Sequence, residues 1–342
     1  MKAAVFRKRD EMAVVDLPEP VAGAGEVVLK VHNCGICGSD LHAVQYGIGM
    51  PPDTVMGHEF CGEIHSLGPG VNGYQLGERV TSLPYFACGV CSWCKRDDAM
   101  HCSKLRSLGL GQLPGAYAEF VACSAASLLK LPANVSSRAG ALVEPLSVGL
   151  HGVNHASLEP GMGVVVMGAG PIGLSTLIWA KAKGASAVVV SELAPGRTAL
   201  AMKLGASAVV NPTRDDPAGA VNAITGRPPE VVFECIGVKS TLGTAISMVG
   251  RHGQVVVIGV CMEADSIYPL SCVMKEVRID FALAYTRREF QQTIDALSNG
   301  AIDATPMITD VINVDQVPDM FTALKHPGTR AKVMVEFPHC GN

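Results

Sequence analysis

The run Val164-Val165-Val166-Met167-Gly168-Ala169-Gly170-Pro171-Ile172-Gly173 decides how the rest of this chain is read. Four consecutive apolar residues predict a buried strand, and the apolar residues after Pro171 predict a helix. Between them stand three glycines at G-x-G-x-x-G spacing, a weak signal alone that gains its meaning from the strand before it and the helix after it. The first glycine permits a tight turn, the second lets a pyrophosphate come close to the backbone, and the third lets helix and strand pack together. Gly168, Gly170, Pro171, Ile172 and Gly173 are therefore candidate cofactor contacts, with the phosphates at the positive end of the helix.

Outward from this corner, strand and helix alternate through residues 146–284. Strands are predicted at 164–167, 187–191, 208–210, 231–234, 254–258 and 277–281, with helices at 171–184, 196–204, 218–224 and 240–249. Six strands joined by helices predict a doubly wound parallel sheet, the Rossmann type of α/β fold. Glu192 follows the second strand, 19 residues past Gly173. A carboxylate there accepts hydrogen bonds from ribose hydroxyls and repels a 2′-phosphate, which favours NAD over NADP. Arg197 can stack on adenine, but its guanidinium also suits a 2′-phosphate and softens that preference.

Residues 1–145 have another texture. Short β-like runs such as 26–31 and 78–80 are divided by Gly and Pro, and cysteine and histidine crowd together. The tail, 285–342, holds one helix at 288–298, a second around 317–324 and a final strand at 331–337. It is expected to return to the first domain, leaving 146–284 as an insert. With 342 residues, 48% hydrophobic and 17% charged, the chain suits two domains with sizeable cores rather than disorder. A net charge of −4 gives no basic stripe for nucleic acid. No apolar run approaches the roughly 20 residues of a membrane span, and the N-terminus does not read as a signal peptide. A cytoplasmic protein is expected, its 12 cysteines serving metal or thiol chemistry rather than disulfides.

Cys88, Cys91, Cys94 and Cys102 stand at C-x2-C-x2-C-x7-C spacing. Four thiolates on one short loop can close a tetrahedral shell around a structural zinc with no position left for water; iron–sulfur clusters use similar spacing. A second constellation is dispersed: Cys37 in Cys34-Gly35-Ile36-Cys37-Gly38-Ser39-Asp40, then His58-Glu59, then Glu144 in Leu142-Val143-Glu144-Pro145. Mixed sulfur, nitrogen and oxygen donors suit a zinc with an open coordination position, as catalysis needs. Asp40 is well placed to hold the His58 ring N–H from outside the metal shell. Spacing alone also allows a bland reading of each: a core thiol, a satisfied buried histidine, a charge at a helix end.

GICGSDLH, GHEFCGEI, the four-cysteine loop, LVEPLSVGLHG and GAGPIGL follow one another in the order found in the zinc-containing medium-chain dehydrogenases, and the chain resembles that family from end to end. It is similar above all to the branch of sorbitol, 2,3-butanediol and threonine dehydrogenases. The segment from Lys275-Glu276-Val277 through Ala284-Tyr285-Thr286-Arg287 shares the likeness to the sorbitol and butanediol members. Ethanol-type members carry a cysteine where Glu144 stands, so the resemblance points to the polyol side. It implies a GroES-like, β-rich catalytic domain beside the Rossmann domain, two zinc ions per subunit, and a homodimer or homotetramer. It implies further that Cys37 and His58 ligate a catalytic zinc, with Glu59 and Glu144 as direct ligands or groups that exchange with water. Ser39 then takes the substrate proton, His42 passes it to solvent through the nicotinamide ribose, and Tyr46 is a pocket tyrosine. The reaction implied is hydride transfer between a small secondary alcohol, diol or polyol and NAD, with zinc polarising the oxygen and a ketone as product. Its pocket is expected in the cleft between the domains, and the last Rossmann strand is the expected edge for subunit pairing.

Two other functions compete. A zinc-independent quinone or enone reductase has the same fold, but the complete set of catalytic-zinc candidates weighs against it. A non-catalytic zinc- and nucleotide-binding protein is opposed by intact Ser39, His42, Glu59 and Glu144. Cys34 matches no ligand position and reads as packing, as do Cys61, Cys123, Cys235, Cys261, Cys272 and Cys340 as core or surface thiols. His32, His65, His101, His151, His155, His252, His326 and His339 show no ligand spacing, although His101 adjoins Cys102.

Overall fold

The computed structural model describes residues 1–47, 49–326 and 328–338, so His339 and Cys340 lie outside the described residues. The chain divides into two compact units, one of Met1–Glu144, Thr286–Asn299 and Ile308–Asn342, the other of Pro145–Tyr285 and Gly300–Met307.

The second unit is built on six parallel strands in the order Ala208–Val210, Ala187–Ser191, Gly163–Met167, Val231–Glu234, Gln254–Val257, Arg278–Phe281. All six predicted strands form. The chain begins at the centre with Gly163–Met167, works out to Ala208–Val210, and then crosses to the other side at Val231–Glu234. Val164, Val165, Val189, Val232 and Val255 have no solvent exposure, because helices cover a parallel sheet on both faces and demand unbroken β-branched runs. The covering helices Pro171–Ala182, Pro195–Lys203 and Pro217–Thr225 each start on proline, which lacks the N–H a helix's first turn leaves unpaired. Gly168 sits at φ +89°, and a side chain on Gly173 would strike the Gly168 carbonyl, so strand and helix meet where the motif requires.

The first unit is centred on the strand Glu26–Gly35. One edge pairs with Glu59–Leu67; the other pairs first with Phe120–Ser124 and then with Lys332–Glu336. The last strand of the chain thus completes a sheet begun near its start, and Ile308–Ile312 runs parallel beside it. Its core gathers Val27, Leu29, Val31, Phe60, Ile64, Tyr117 and Val121. The helix Ser137–His155 leads from one unit into the next and carries Glu144, with Pro145 inside it. Among the described residues no helix is long and apolar enough to cross a membrane.

Candidate active site

Cys37 is the N-cap of the helix Gly38–Tyr46, and its backbone N–H donates to Asp40 Oδ2 at 3.0 Å. Asp40 has no solvent exposure. Its other oxygen lies 3.2 Å from His58 Nδ1, and the buried Tyr117 hydroxyl donates to Oδ2 at 2.6 Å. Glu59 opens the strand that pairs with Glu26–Gly35 and lies directly across from Gly35, where the missing side chain leaves room for its carboxylate. One donor atom each from Cys37, His58 and Glu59 fall within 4.8 Å of one another. Ser39 Oγ stands 3.3 Å from His58 Nε2. Ser39 and His42 are exposed one turn apart on the same helix, and Tyr46 is half exposed at its end, its ring 6.2 Å from that of His42. Glu144 is buried but is not one of the three donors that converge.

Burial opposes a charged His58, yet the Asp40 charge and hydrogen bond, with Cys37 beside the ring, outweigh it and hold its pKa well above the usual value. A pocket that stabilises positive charge between a thiol and carboxylates suits a divalent cation, which displaces that proton on binding. With Asp40 on Nδ1, the ring nitrogen left for a metal is Nε2, the one facing Ser39.

Lys332, in the final strand, went unrecognised in the sequence. It is completely buried and donates to both oxygens of Glu59, at 2.7 and 2.6 Å, and to the Ile36 carbonyl at 3.0 Å. Burial lowers its pKa, but Glu59, Cys37 and Glu144 more than offset this and leave it raised. One signal was available: a lone lysine amid the apolar residues of 331–337. Tyr117 left no comparable mark.

The four cysteines of the lobe also gather, with Sγ atoms of Cys88 and Cys94 3.9 Å apart and of Cys91 and Cys94 3.4 Å apart. A tetrahedral zinc with bonds of about 2.3 Å sets its sulfurs about 3.8 Å apart. The ligands of an iron–sulfur cluster attach to different iron atoms and stand farther from one another, so the spacing fits a single ion. Backbone N–H groups of Val90 and Cys91 aimed at Cys88 bring its pKa down to about 6, whereas burial and the neighbouring sulfur push Cys94 up to about 12. Four sulfurs this close need a cation before all can ionise. His101 is engaged by Asp98 at 2.7 Å and does not join them. Among the described residues no other such group of three or more is found; His32 contacts Ser137 at 3.1 Å, and His151 and His155 face each other at 3.1 Å.

At the dinucleotide corner Gly170 caps the helix Pro171–Ala182. Glu192 accepts the N–H of Ala169 at 2.8 Å on one oxygen and those of Leu193 and Ala194 at 2.7 and 2.8 Å on the other, tying the glycine turn to its own loop. Oε2, with one donor, keeps a lone pair for a ribose hydroxyl. Arg197 lies half-buried on the helix Pro195–Lys203.

Residues 23–133 match the family profile of the alcohol dehydrogenase GroES-like domain, and residues 171–299 that of the zinc-binding dehydrogenases. Across 98% of its length the chain is 32% identical to the sorbitol dehydrogenase of Bacillus subtilis, covering 97% of that protein. It is 33% identical to the (R,R)-butanediol dehydrogenase of the same organism, covering 98% of this chain and 99% of that one. A Sinorhizobium meliloti protein solved with NADP bound superposes with a TM-score of 0.90 at 30% identity, over 98% of this chain and 99% of the other.

Proposed function

The chain belongs to the zinc-containing medium-chain alcohol dehydrogenase family, in the branch of the sorbitol and butanediol dehydrogenases, and from this we infer which residues carry its reaction. It is a zinc-dependent, nicotinamide-linked dehydrogenase of the polyol and diol type, acting on CH–OH. The observation that carries the site assignment is the convergence of Cys37, His58 and Glu59 within 4.8 Å, beside the Ser39 hydroxyl.

When bound, zinc supplies Lewis acidity toward the substrate oxygen and the dinucleotide supplies the hydride acceptor. Cys37 and His58 hold the metal, and Glu59 and Glu144 are the carboxylates that join it or exchange with water. Asp40 fixes the His58 ring through Nδ1 and presents Nε2. Ser39 Oγ takes the carbinol proton, and His42, exposed one turn on along the same helix, carries it toward solvent. Tyr46 borders the substrate. The second zinc, in the lobe of Cys88, Cys91, Cys94 and Cys102, does no chemistry.

NAD is the preferred cofactor, on the strength of the Glu192 carboxylate where a 2′-phosphate would lie. The preference is modest, with Arg197 nearby in sequence. We assign the protein to the cytoplasm, where its eleven described cysteines, all unbridged, stay reduced. It works as a homo-oligomer, a dimer or tetramer.

A panel of secondary alcohols, diols and polyols with NAD and with NADP, followed by the near-ultraviolet absorbance of reduced nicotinamide, tests the reading. Turnover with NAD that disappears on chelation and returns with zinc is expected. Turnover indifferent to chelation, or none with any alcohol or ketone, counts against it.

A further inference from the structure

Glu234 ends the strand Val231–Glu234, next to Gly163–Met167 at the place where the strand order reverses. A doubly wound sheet binds its dinucleotide across that crevice, with one mononucleotide half on each side. Glu192 serves the adenosine side. Glu234 stands on the other, and nothing in the chemistry above uses it.

This carboxylate is 2% exposed. Its Oε1 accepts the backbone N–H groups of Ile236 at 2.8 Å and Gly237 at 2.9 Å. Its main-chain carbonyl accepts those of Ile258 and Gly259, both at 2.9 Å. One residue therefore fixes two loops, that after its own strand and that after Gln254–Val257. The loops also interlock. A Cβ on Gly259 would lie 2.6 Å from Glu234 Oε2 and would strike the Gly237 nitrogen, and a Cβ on Gly168 would press on Ile236 at 3.0 Å. The pyrophosphate turn and both loops thus form one continuous rim, with Glu234 behind it. On the rim Ile236, Val238 and Val260 are 43%, 53% and 60% exposed, apolar surface suited to the face of a flat ring.

We propose that Glu234 is a positioning residue for the nicotinamide half of the dinucleotide: its carboxylate holds the loop of Ile236 and Gly237, against which Gly259 packs, and so fixes the backbone and apolar surface against which the nicotinamide lies. It acts through Ile236, Gly237 and Gly259. The inference rests on the nicotinamide-linked reading of the second unit.

The test compares binding of NADH with binding of ADP-ribose, which has the adenosine and both phosphates but no nicotinamide, to the intact metal-loaded protein. In Glu234→Ala the two N–H groups lose their buried acceptor, and NADH is expected to weaken by about tenfold while ADP-ribose changes less than about twofold. Glu234→Gln keeps an acceptor oxygen and is expected to rescue NADH affinity. Gly259→Ala displaces the carboxylate without removing it and is expected to repeat the selective loss, which keeps the test alive if Glu234→Ala does not fold. Equal weakening of both ligands in either variant, or unchanged NADH affinity, overturns the proposal. Wild-type protein that binds neither ligand overturns the nicotinamide reading itself, a result distinct from the first two.

Discussion

A lysine ammonium without solvent contact is costly unless another charge answers it, and at Lys332 both oxygens of Glu59 do so. Deleting one partner strands the other, a loss of about 3–5 kcal/mol. Lys332→Met is therefore predicted to lower stability by about that amount in a denaturant titration of chelated protein. Lys332→Met/Glu59→Gln should lose less than the sum of the single variants, because the second change removes the stranded charge. Strict additivity would mean that the pair is not coupled. This contact was illegible in the sequence because its partners are 273 residues apart and come from different ends of the chain. A separation of 77 residues likewise hid the Tyr117 hydroxyl on Asp40, whereas the four lobe cysteines were legible because one short loop carries them all.

At the scale of elements, the cysteine lobe has only short helices and a two-stranded pairing, too little buried surface to hold its shape unaided. It is tied to the helix Arg287–Ser298 through Asp97, whose carboxylate accepts the N–H groups of Arg287 at 3.2 Å and Arg288 at 2.9 Å. Cys91→Ser is predicted to release one zinc per subunit, lower the melting temperature and speed hydrogen exchange at those two amides. Turnover per folded molecule should persist. Unchanged exchange at Arg287 and Arg288 would mean the lobe does not support that helix. The Rossmann strands were legible because a sheet covered on both faces needs continuous apolar runs. The helix Ser137–His155 was not, since Gly140, Pro145, Gly149 and Gly152 erase its periodicity. Packing explains the three glycines: a Cβ on Gly140 would lie 2.5 Å from Leu131, one on Gly149 would lie 2.6 Å from that of Ser175, and one on Gly152 would collide with Ile258.

For the whole molecule, the strand Arg278–Phe281 ends the six-stranded sheet, and Phe281 is 68% exposed beside exposed Leu283. An apolar sheet edge in water invites pairing with a second copy. Phe281→Asp is predicted to shift the assembly toward monomer in light scattering; an unchanged mass would place the subunit contact elsewhere. The tail's closing strand is legible in the sequence, but Gly300–Met307 falls in the second unit rather than the first, and Ile308–Ile312 is hidden because its partly exposed alternation resembles a loop. The proposed reaction depends on a second, chemically active zinc held by Cys37 and His58. Metal content measured together with turnover and dinucleotide binding tests it most directly. Wild-type protein should hold two zinc ions per subunit, and Cys37→Ser should hold one, bind NADH and turn nothing over. A Cys37→Ser protein that keeps both ions and its activity would contradict the account.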